Sequence, residues 1–302
     1  MGWRTIVISN PCRLSVKNRH LAIEPRDGEA AMLPLSDISV VMIETTQCLI
    51  TSALLAALAD EGVALFACDA SHTPNGLFAP FASHSRHTKA ALLQVAWSEP
   101  FKKRCWQKII EAKIKNQAKL LKHVSNDTAC KRLTNIASKV LSDDSSNCEA
   151  QAASVYWQSL FDGFRRGAIE DDVRNSALNY GYAVLRGVIA RSVAASGLIP
   201  AFGLHHKSEL NAFNLADDLI EPFRPLVDML VWEMCEKAGF DTNAVLTKDD
   251  KMELVGLLGE KCKINDQNET ILNACDITCQ SLSSCGAAKS HTKLLLPTFS
   301  DV

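Results

Sequence analysis

The sequence predicts an α+β protein, with a small N-terminal β-sandwich-like domain over residues 1–70 and a larger all-α domain over 89–302. Three observations predict it. Up to about residue 70 the chain is written in short Val- and Ile-rich runs separated by Asn, Pro, Asp and Gly, the pattern of a small sheet domain. Beyond residue 88, long segments carry apolar residues near helical spacing. Between them, "SHTPNGLFAPFASHSRHT" at 71–88 holds two prolines, a glycine and three histidines, which fits a linker or hairpin.

Taken in order, "WRTIVIS", "CRLSVK", "HLAIEP", "AMLPL" and "ISVVMIE" read as strands. "TSALLAALADEG" interrupts them as a helix, with Leu54, Leu55 and Leu58 on one side and Gly62 at its end, and "VALFAC" returns to strand. Amphipathic helices follow over 101–122, 149–164, 173–196 and 226–238. No internal repeat is present, and the one low-complexity tract is "SDDSSN" at 142–147.

A chain of 302 residues, 47% hydrophobic and 22% charged, has ordinary globular composition and length for roughly two domains. Net charge is −2, so polyanion binding has to come from a local patch and not from a global field. No window approaches the roughly 18 uninterrupted apolar residues of a membrane span, and "MGWRTIVISN" has neither a leader-like apolar run nor the Ser or Thr that N-myristoylation needs at position 6. Eleven scattered cysteines without a CxxC pair read as reduced thiols in a cytoplasmic protein. Cys275, Cys279 and Cys285, with His291 beyond, do not have the spacing of a structural zinc site and read as free thiols near a loose C terminus.

The local patch exists. Eleven Lys or Arg fall between Phe101 and Lys139, among them Lys102, Lys103, Arg104 and Lys108, against only Glu111 and Asp127, a balance of +9. A merely solvated helix face usually interleaves acids at i, i+4, so the asymmetry favours phosphate binding. Arg165, Arg166, Arg174, Arg186 and Arg191 follow, and their planar forks suit phosphate, although Arg174 has equally good acidic partners in Glu170, Asp171 and Asp172.

Two stretches concentrate metal-ligating chemistry. Glu149 opens a helix three residues after Ser146, where it either closes a capping box or points inward beside Ala152, Ala153 and Tyr156. In "GLHHKSELNAFNLADDLIEPFRP", residues 203–225, Asn214 has a capping explanation and Asp217 and Asp218 complement the positive helix end, whereas Glu221, between Ile220 and Pro222, has no such explanation. His205 and His206 diverge too far for both to face one ion. One imidazole with two or more carboxylates suits Mg2+ or Mn2+ better than zinc.

These segments resemble the CRISPR adaptation integrases of the Cas1 family over nearly the whole chain. The resemblance is carried by "ISNPCRLSV", "ITSALLAALADEGVALFACD", "HSRHTK", "EAQAASVYW", "NSALNYGYAVLRGVIA", "GLIPAFGLHH" and "NLADDLIEPFRPLVD". The paired histidines and the "DDLIEPFRP" wording resemble the version that accompanies Cas9. The resemblance implies that Glu149, His206 and Glu221 are the catalytic metal ligands, with Asp218 a supporting or substitute ligand and His205 a residue that orients the site or contacts DNA. It implies Mg2+ or Mn2+ as cofactor. It also implies joining of the 3′-hydroxyl ends of captured double-stranded DNA into CRISPR repeat DNA, with Lys102, Lys103, Arg104, Lys108, Arg165 and Arg166 gripping the backbone. The implied partners are a second copy of the chain, paired through residues 1–70, a Cas2 dimer, and Cas9. Two rivals stay open: a general metal-dependent nuclease for branched or free DNA, and a DNA-binding scaffold without chemistry.

Overall fold

The computed structural model describes residues 2, 4–69, 74–78, 80, 87–167, 172–237, 241–242 and 244–300. The N-terminal part holds β1 (Arg4–Ile8), β2 (Cys12–Lys17), β3 (His20–Pro25), β4 (Ala31–Pro34), β5 (Ile38–Ile43), β6 (Cys48–Ile50), α1 (Ser52–Asp60), β7 (Ala64–Cys68) and β8 (Pro74–Phe78). They form two four-stranded sheets, ordered β1-β5-β7-β8 and β4-β3-β2-β6. Leu14 and Leu21 from one sheet, Val41 and Leu65 from the other, and Leu54 and Leu58 of α1 close a shared core.

Every residue of β5 is buried, because the sheet carrying it is covered on both faces. Period-2 alternation sends Val41 and Ile43 to the N-terminal core and Val40 and Met42 to a second, larger core shared with the helices. Phe66 of β7 enters the same larger core.

The helical part comprises α2 (His87–Val95), α3 (Glu99–His123), α4 (Asp127–Ala137), α5 (Cys148–Leu160), α6 (Val173–Ala195), α7 (Asn214–Leu219), α8 (Arg224–Glu236), α9 (Lys248–Gly256) and α10 (Ile271–Ala288). A small sheet of β9 (Lys261–Ile264), β10 (Gln267–Thr270) and β11 (Thr298–Phe299), ordered β10-β9-β11, lies within this half. α3 starts cleanly, with Ser98 Oγ accepting from Phe101 N and Pro100 in the first turn. α6 passes close to the first sheet at Gly187, where a Cβ would stand 2.2 Å from Phe66 Cε1. Tyr180 Oη also donates to buried Glu44 Oε1 at 2.7 Å, a polar tie between the two halves.

The sheet-then-helix order agrees with the sequence reading, with three differences of detail, the first being that residues 89–302 are not all helical but include the sheet β10-β9-β11, whose strands are only two to four residues long. Residues 74–78, inside the stretch read as linker or hairpin, form an edge strand antiparallel to β7, where Pro74, as first residue, is tolerated. Residues 71–73, 79 and 81–86 of that stretch lie outside the described residues. The C-terminal thiols are not loose: Cys275, Cys279 and Cys285 are buried on α10, and burial pushes each thiol above its ordinary value. Among the described residues, no helix is long and apolar enough to cross a membrane.

Candidate metal centre

Glu149 stands at the start of α5 because of the loop before it. Asp143, Asp144 and Asn147 have positive φ, a backbone region that short polar side chains tolerate best among residues with a Cβ. The turn brings the Asp144 carboxylate onto the free N–H groups of the first turn, accepting from Cys148 N at 2.8 Å and Glu149 N at 3.0 Å. The capping box read between Ser146 and Glu149 is therefore not formed. Ser146 Oγ instead lies 3.2 Å from Cys148 Sγ. Relieved of capping, the Glu149 carboxylate accepts from Lys113 Nζ at 2.6 Å.

Lys113 reaches Glu221 as well, at 2.5 Å from Oε2. It lies on the inward face of α3, among Ile109, Ile110, Ile114, Asn116 and Gln117. Glu221 heads a 3-10 turn, Glu221–Phe223, between α7 and α8, and Asn116 Nδ2 fixes that turn by donating to Pro222 O at 2.8 Å. Only 5% of Glu221 is exposed, so its charge needs partners. Burial pushes the carboxyl up, but Lys113 and then Arg224, whose Nε is 2.9 Å from Oε1, outweigh it and hold Glu221 below the usual carboxylate range. Lys113 is likewise disfavoured by burial and held above its ordinary value by Glu221 and Glu149.

The two histidine rings stand with centroids 5.8 Å apart and planes at 89°. A carboxylate of α7, Asp218, is fully buried and accepts from Leu204 N at 2.5 Å, His205 N at 3.1 Å and His206 N at 3.1 Å. Its Oδ1 also meets His206 Nδ1 at 2.7 Å, leaving Nε2 as the free ring nitrogen of His206. The wrap requires Gly203, where a Cβ would stand 2.3 Å from His206 O and 2.8 Å from Asp218 Oδ2. Asp218 thus takes four donors on its two oxygens, the His206 ring among them, which orients that ring. His205 stacks flat on Trp106, with centroids 4.4 Å apart, and its Nδ1 lies 3.3 Å from Asp143 Oδ1. That contact ties the histidine loop to the loop that places Glu149.

His206 and Glu221 line one groove of about 420 Å³ with Arg166, Asn179, Tyr182, Arg186, Asp217 and Arg224. Asp217 does not act mainly as a helix-end charge. It pairs with Arg186 Nε at 2.5 Å and accepts from Asn211, while Asn214, read as a cap, donates its side chain to Ala201 O and Ser208 O. Deeper in, Tyr156 and Tyr182 both donate to buried Asp228, the first at 2.7 Å. Arg166 Cζ lies 5.5 Å and Arg224 Cζ 4.5 Å from the centre of the Tyr182 ring.

The structure thus brings Glu149 and Glu221 onto one ammonium, and His206 lines a groove with Glu221. Among the described residues, no three His, Cys, Asp or Glu side chains already converge on a single point. The donor chemistry nevertheless suits Mg2+ or Mn2+: two carboxylates, a neutral-capable imidazole with one nitrogen free, and a buried Glu221 Oε2 that meets Lys113 by charge but accepts no directed hydrogen bond.

The basic residues divide. Lys102 pairs with Glu99, and Lys103 Nζ is 3.1 Å from Asp143 Oδ2. Lys108 was read as a phosphate contact, but its three N–H groups go to His291 O, Thr292 O and Leu294 O at 3.0–3.4 Å, which anchors the C-terminal segment and leaves no free donor. Arg104 and Arg165 are exposed. Arg166 is held by two neutral acceptors, Asn175 Oδ1 at 2.8 Å and Asn179 Oδ1 at 2.6 Å, which keeps its charge available to an anion. Arg174 pairs with Asp172 and Arg191 with buried Asp276, so both are structural.

Three participants escaped the sequence reading: Lys113, Arg224 and the Tyr156–Asp228–Tyr182 cluster. Lys113 had a signal, a lysine inside the apolar stripe Ile109, Ile110, Ile114.

The sequence profile described as "CRISPR associated protein Cas1" matches residues 5–257. The chain is 43% identical over 298 residues, 98% of its length and 96% of the relative's, to the CRISPR-associated endonuclease Cas1 of Neisseria meningitidis serogroup C (strain 8013). In fold it resembles a casposase bound to integration product, with a TM-score of 0.78 and 19% identity over 96% of this chain and 93% of that one. It also resembles part of a Cas6-RT-Cas1–Cas2 complex, with a TM-score of 0.76 and 16% identity over 96% of this chain and 36% of that one.

Proposed function

The chain belongs to the CRISPR-associated Cas1 family, and from that premise we propose that it is a divalent-metal-dependent DNA endonuclease and integrase that inserts captured DNA into a CRISPR repeat array. The observation that carries the chemistry is the convergence of Glu149 and Glu221, from separate elements, on one cation position, with His206 lining a groove with Glu221. Glu149, His206 and Glu221 would hold Mg2+ or Mn2+. When bound, the ion supplies polarisation of the scissile phosphate and stabilisation of charge on the leaving oxygen.

The protein's own groups do the rest. Asp218 fixes the His206 ring and its tautomer. Arg166, held by neutral acceptors, offers the groove a charge for the DNA backbone, whereas Arg186 and Arg224 are paired with Asp217 and Glu221. A 3′-hydroxyl of the incoming fragment attacks the phosphate at the repeat boundary, forms the new phosphodiester and displaces the existing 3′ oxygen. No protein nucleophile takes part.

The proposal extends to assembly. Residues 1–70 serve dimerisation, and 89–302 carry the catalytic groups. A Cas2 dimer bridges two such dimers, a reading supported by the fold likeness to part of a Cas6-RT-Cas1–Cas2 complex. Cas9 is a further partner, and the complex works in the cytoplasm.

The test is to incubate the protein and Mn2+ with an end-labelled fragment bearing free 3′-hydroxyls and a repeat-bearing plasmid. Label joined at the repeat boundary supports the integrase. Cut products without joining would make it a general nuclease, and DNA binding without either would leave a scaffold.

A further inference from the structure

We propose that Lys113 is the built-in counter-cation of the metal centre, holding Glu149 and Glu221 together and competing with a divalent ion for the same two carboxylates. The proposal rests on the metal reading above. Its ground is placement: Nζ is 2.6 Å from Glu149 Oε1 and 2.5 Å from Glu221 Oε2, so one ammonium spans acids 72 positions apart in sequence. The lysine cannot readily wander. Its side chain is 12% exposed and rises from the packed face of α3, whose Asn116, three residues on, grips the Glu221 turn through Pro222 O.

The two acids are not equally dependent on it. Glu221 keeps Arg224 on its other oxygen, whereas Lys113 is the ion-pair partner of Glu149 among the described residues. A divalent ion drawn to Oε1 of Glu149 and Oε2 of Glu221 therefore meets a positive charge already seated between them. The two cations repel, and each weakens the other's hold. Lys113 is thus a positioning residue: it keeps the carboxylates aligned, and it sets how tightly the ion is bound.

The experiment titrates Mn2+ into the full chain without DNA, following free Mn2+ by electron paramagnetic resonance, for the wild type, K113M, K113R and E149Q. K113M should bind Mn2+ about tenfold more tightly, and its melting temperature should fall without metal but rise further than that of the wild type on adding it. K113R should stay near wild type, and E149Q should bind more weakly. Unchanged or weaker binding by K113M overturns the role assigned to Lys113 while leaving the metal site intact. No wild-type binding that E149Q weakens overturns the metal reading, and this inference with it. Should K113M fail to fold, K113M/E149Q removes one of the two repelling acids. Recovery of a cooperative melt in that double variant supports the proposal, and continued failure overturns it.

Discussion

Asp218 holds His206 by the ring: the fully buried carboxylate lies 2.7 Å from Nδ1 and also accepts the backbone N–H of the same residue at 3.1 Å. One acid therefore fixes the position, tautomer and orientation of the imidazole, and leaves Nε2 for whatever the groove binds.

Because Asp218 also accepts from Leu204 N and His205 N, Asp218→Ala strands three backbone donors. At the usual penalty for an unsatisfied buried donor, the variant should lose about 3 kcal/mol or more of stability. Its Mn2+ affinity should fall roughly 10- to 100-fold, as for other supports of a metal-bound histidine. Urea unfolding and a Mn2+ titration measure the two effects. A stability loss near zero would mean that Asp218 is not buried under these donors.

The same contact sets a pH dependence. The hydrogen bond that His206 donates to Asp218 raises its imidazole above the ordinary 6.5, against the opposing effect of burial. Protonated His206 cannot bind an ion, so joining activity should fall on the acid side starting above the ordinary histidine range, and Asp218→Asn should move that limb downward. The sign for stability without metal is opposite: the His206–Asp218 contribution is fully present below the unfolded-state value and is lost as pH rises through the raised folded one. The measurements are a pH–rate profile and chemical unfolding across the same range.

Asp228 gives a second, independent window. Burial pushes it up to about 6, although the Tyr182 and Tyr156 hydroxyls oppose the shift. An acid raised in the folded state is more stable folded while protonated. Stability from Asp228 is therefore present at low pH and lost as pH rises from near 3.8 to about 6, on the order of 3 kcal/mol in all. Subtracting the unfolding free energy of Asp228→Asn from that of the wild type, pH by pH, should isolate this slope. A flat difference would contradict it.

How much of this was legible in the sequence depends on where the information lies. Val- and Ile-rich runs and helical periodicity are local signals, and they gave the order of sheet and helices. Strand β8 is masked by Pro74 and Gly76, turn residues that an edge strand tolerates. Strands β9 and β11 pair Cys262 with Phe299, a partnership that no local pattern announces. Glu149, His206 and Glu221 were named through family motifs, while the residues alone left Glu149 between capping and pointing inward. Asp144, which takes the cap, acts through a left-handed backbone that composition does not reveal. Charge counting treated Lys108 and Arg166 alike, and only their partners separate them.

That separation makes a prediction. Arg166→Met should weaken DNA binding and lower the slope of log affinity against log salt by about one, without changing Mn2+ affinity. Lys108→Met should leave DNA affinity and its salt slope near wild type, yet destabilise the protein by releasing three carbonyls of the C-terminal segment. Filter binding at several salt concentrations, with thermal melts, distinguishes the two.

The central claim is that Glu149, His206 and Glu221 share one divalent ion, and a crystal structure of the protein soaked in Mn2+ tests it most directly. The account predicts one ion with Glu149 and Glu221 oxygens and His206 Nε2 within roughly 2.0–2.6 Å, Lys113 moved off at least one carboxylate, and Asp218 and His205 not ligating. An ion bound by Asp218 or by His205, with Lys113 still bridging Glu149 and Glu221, would contradict it.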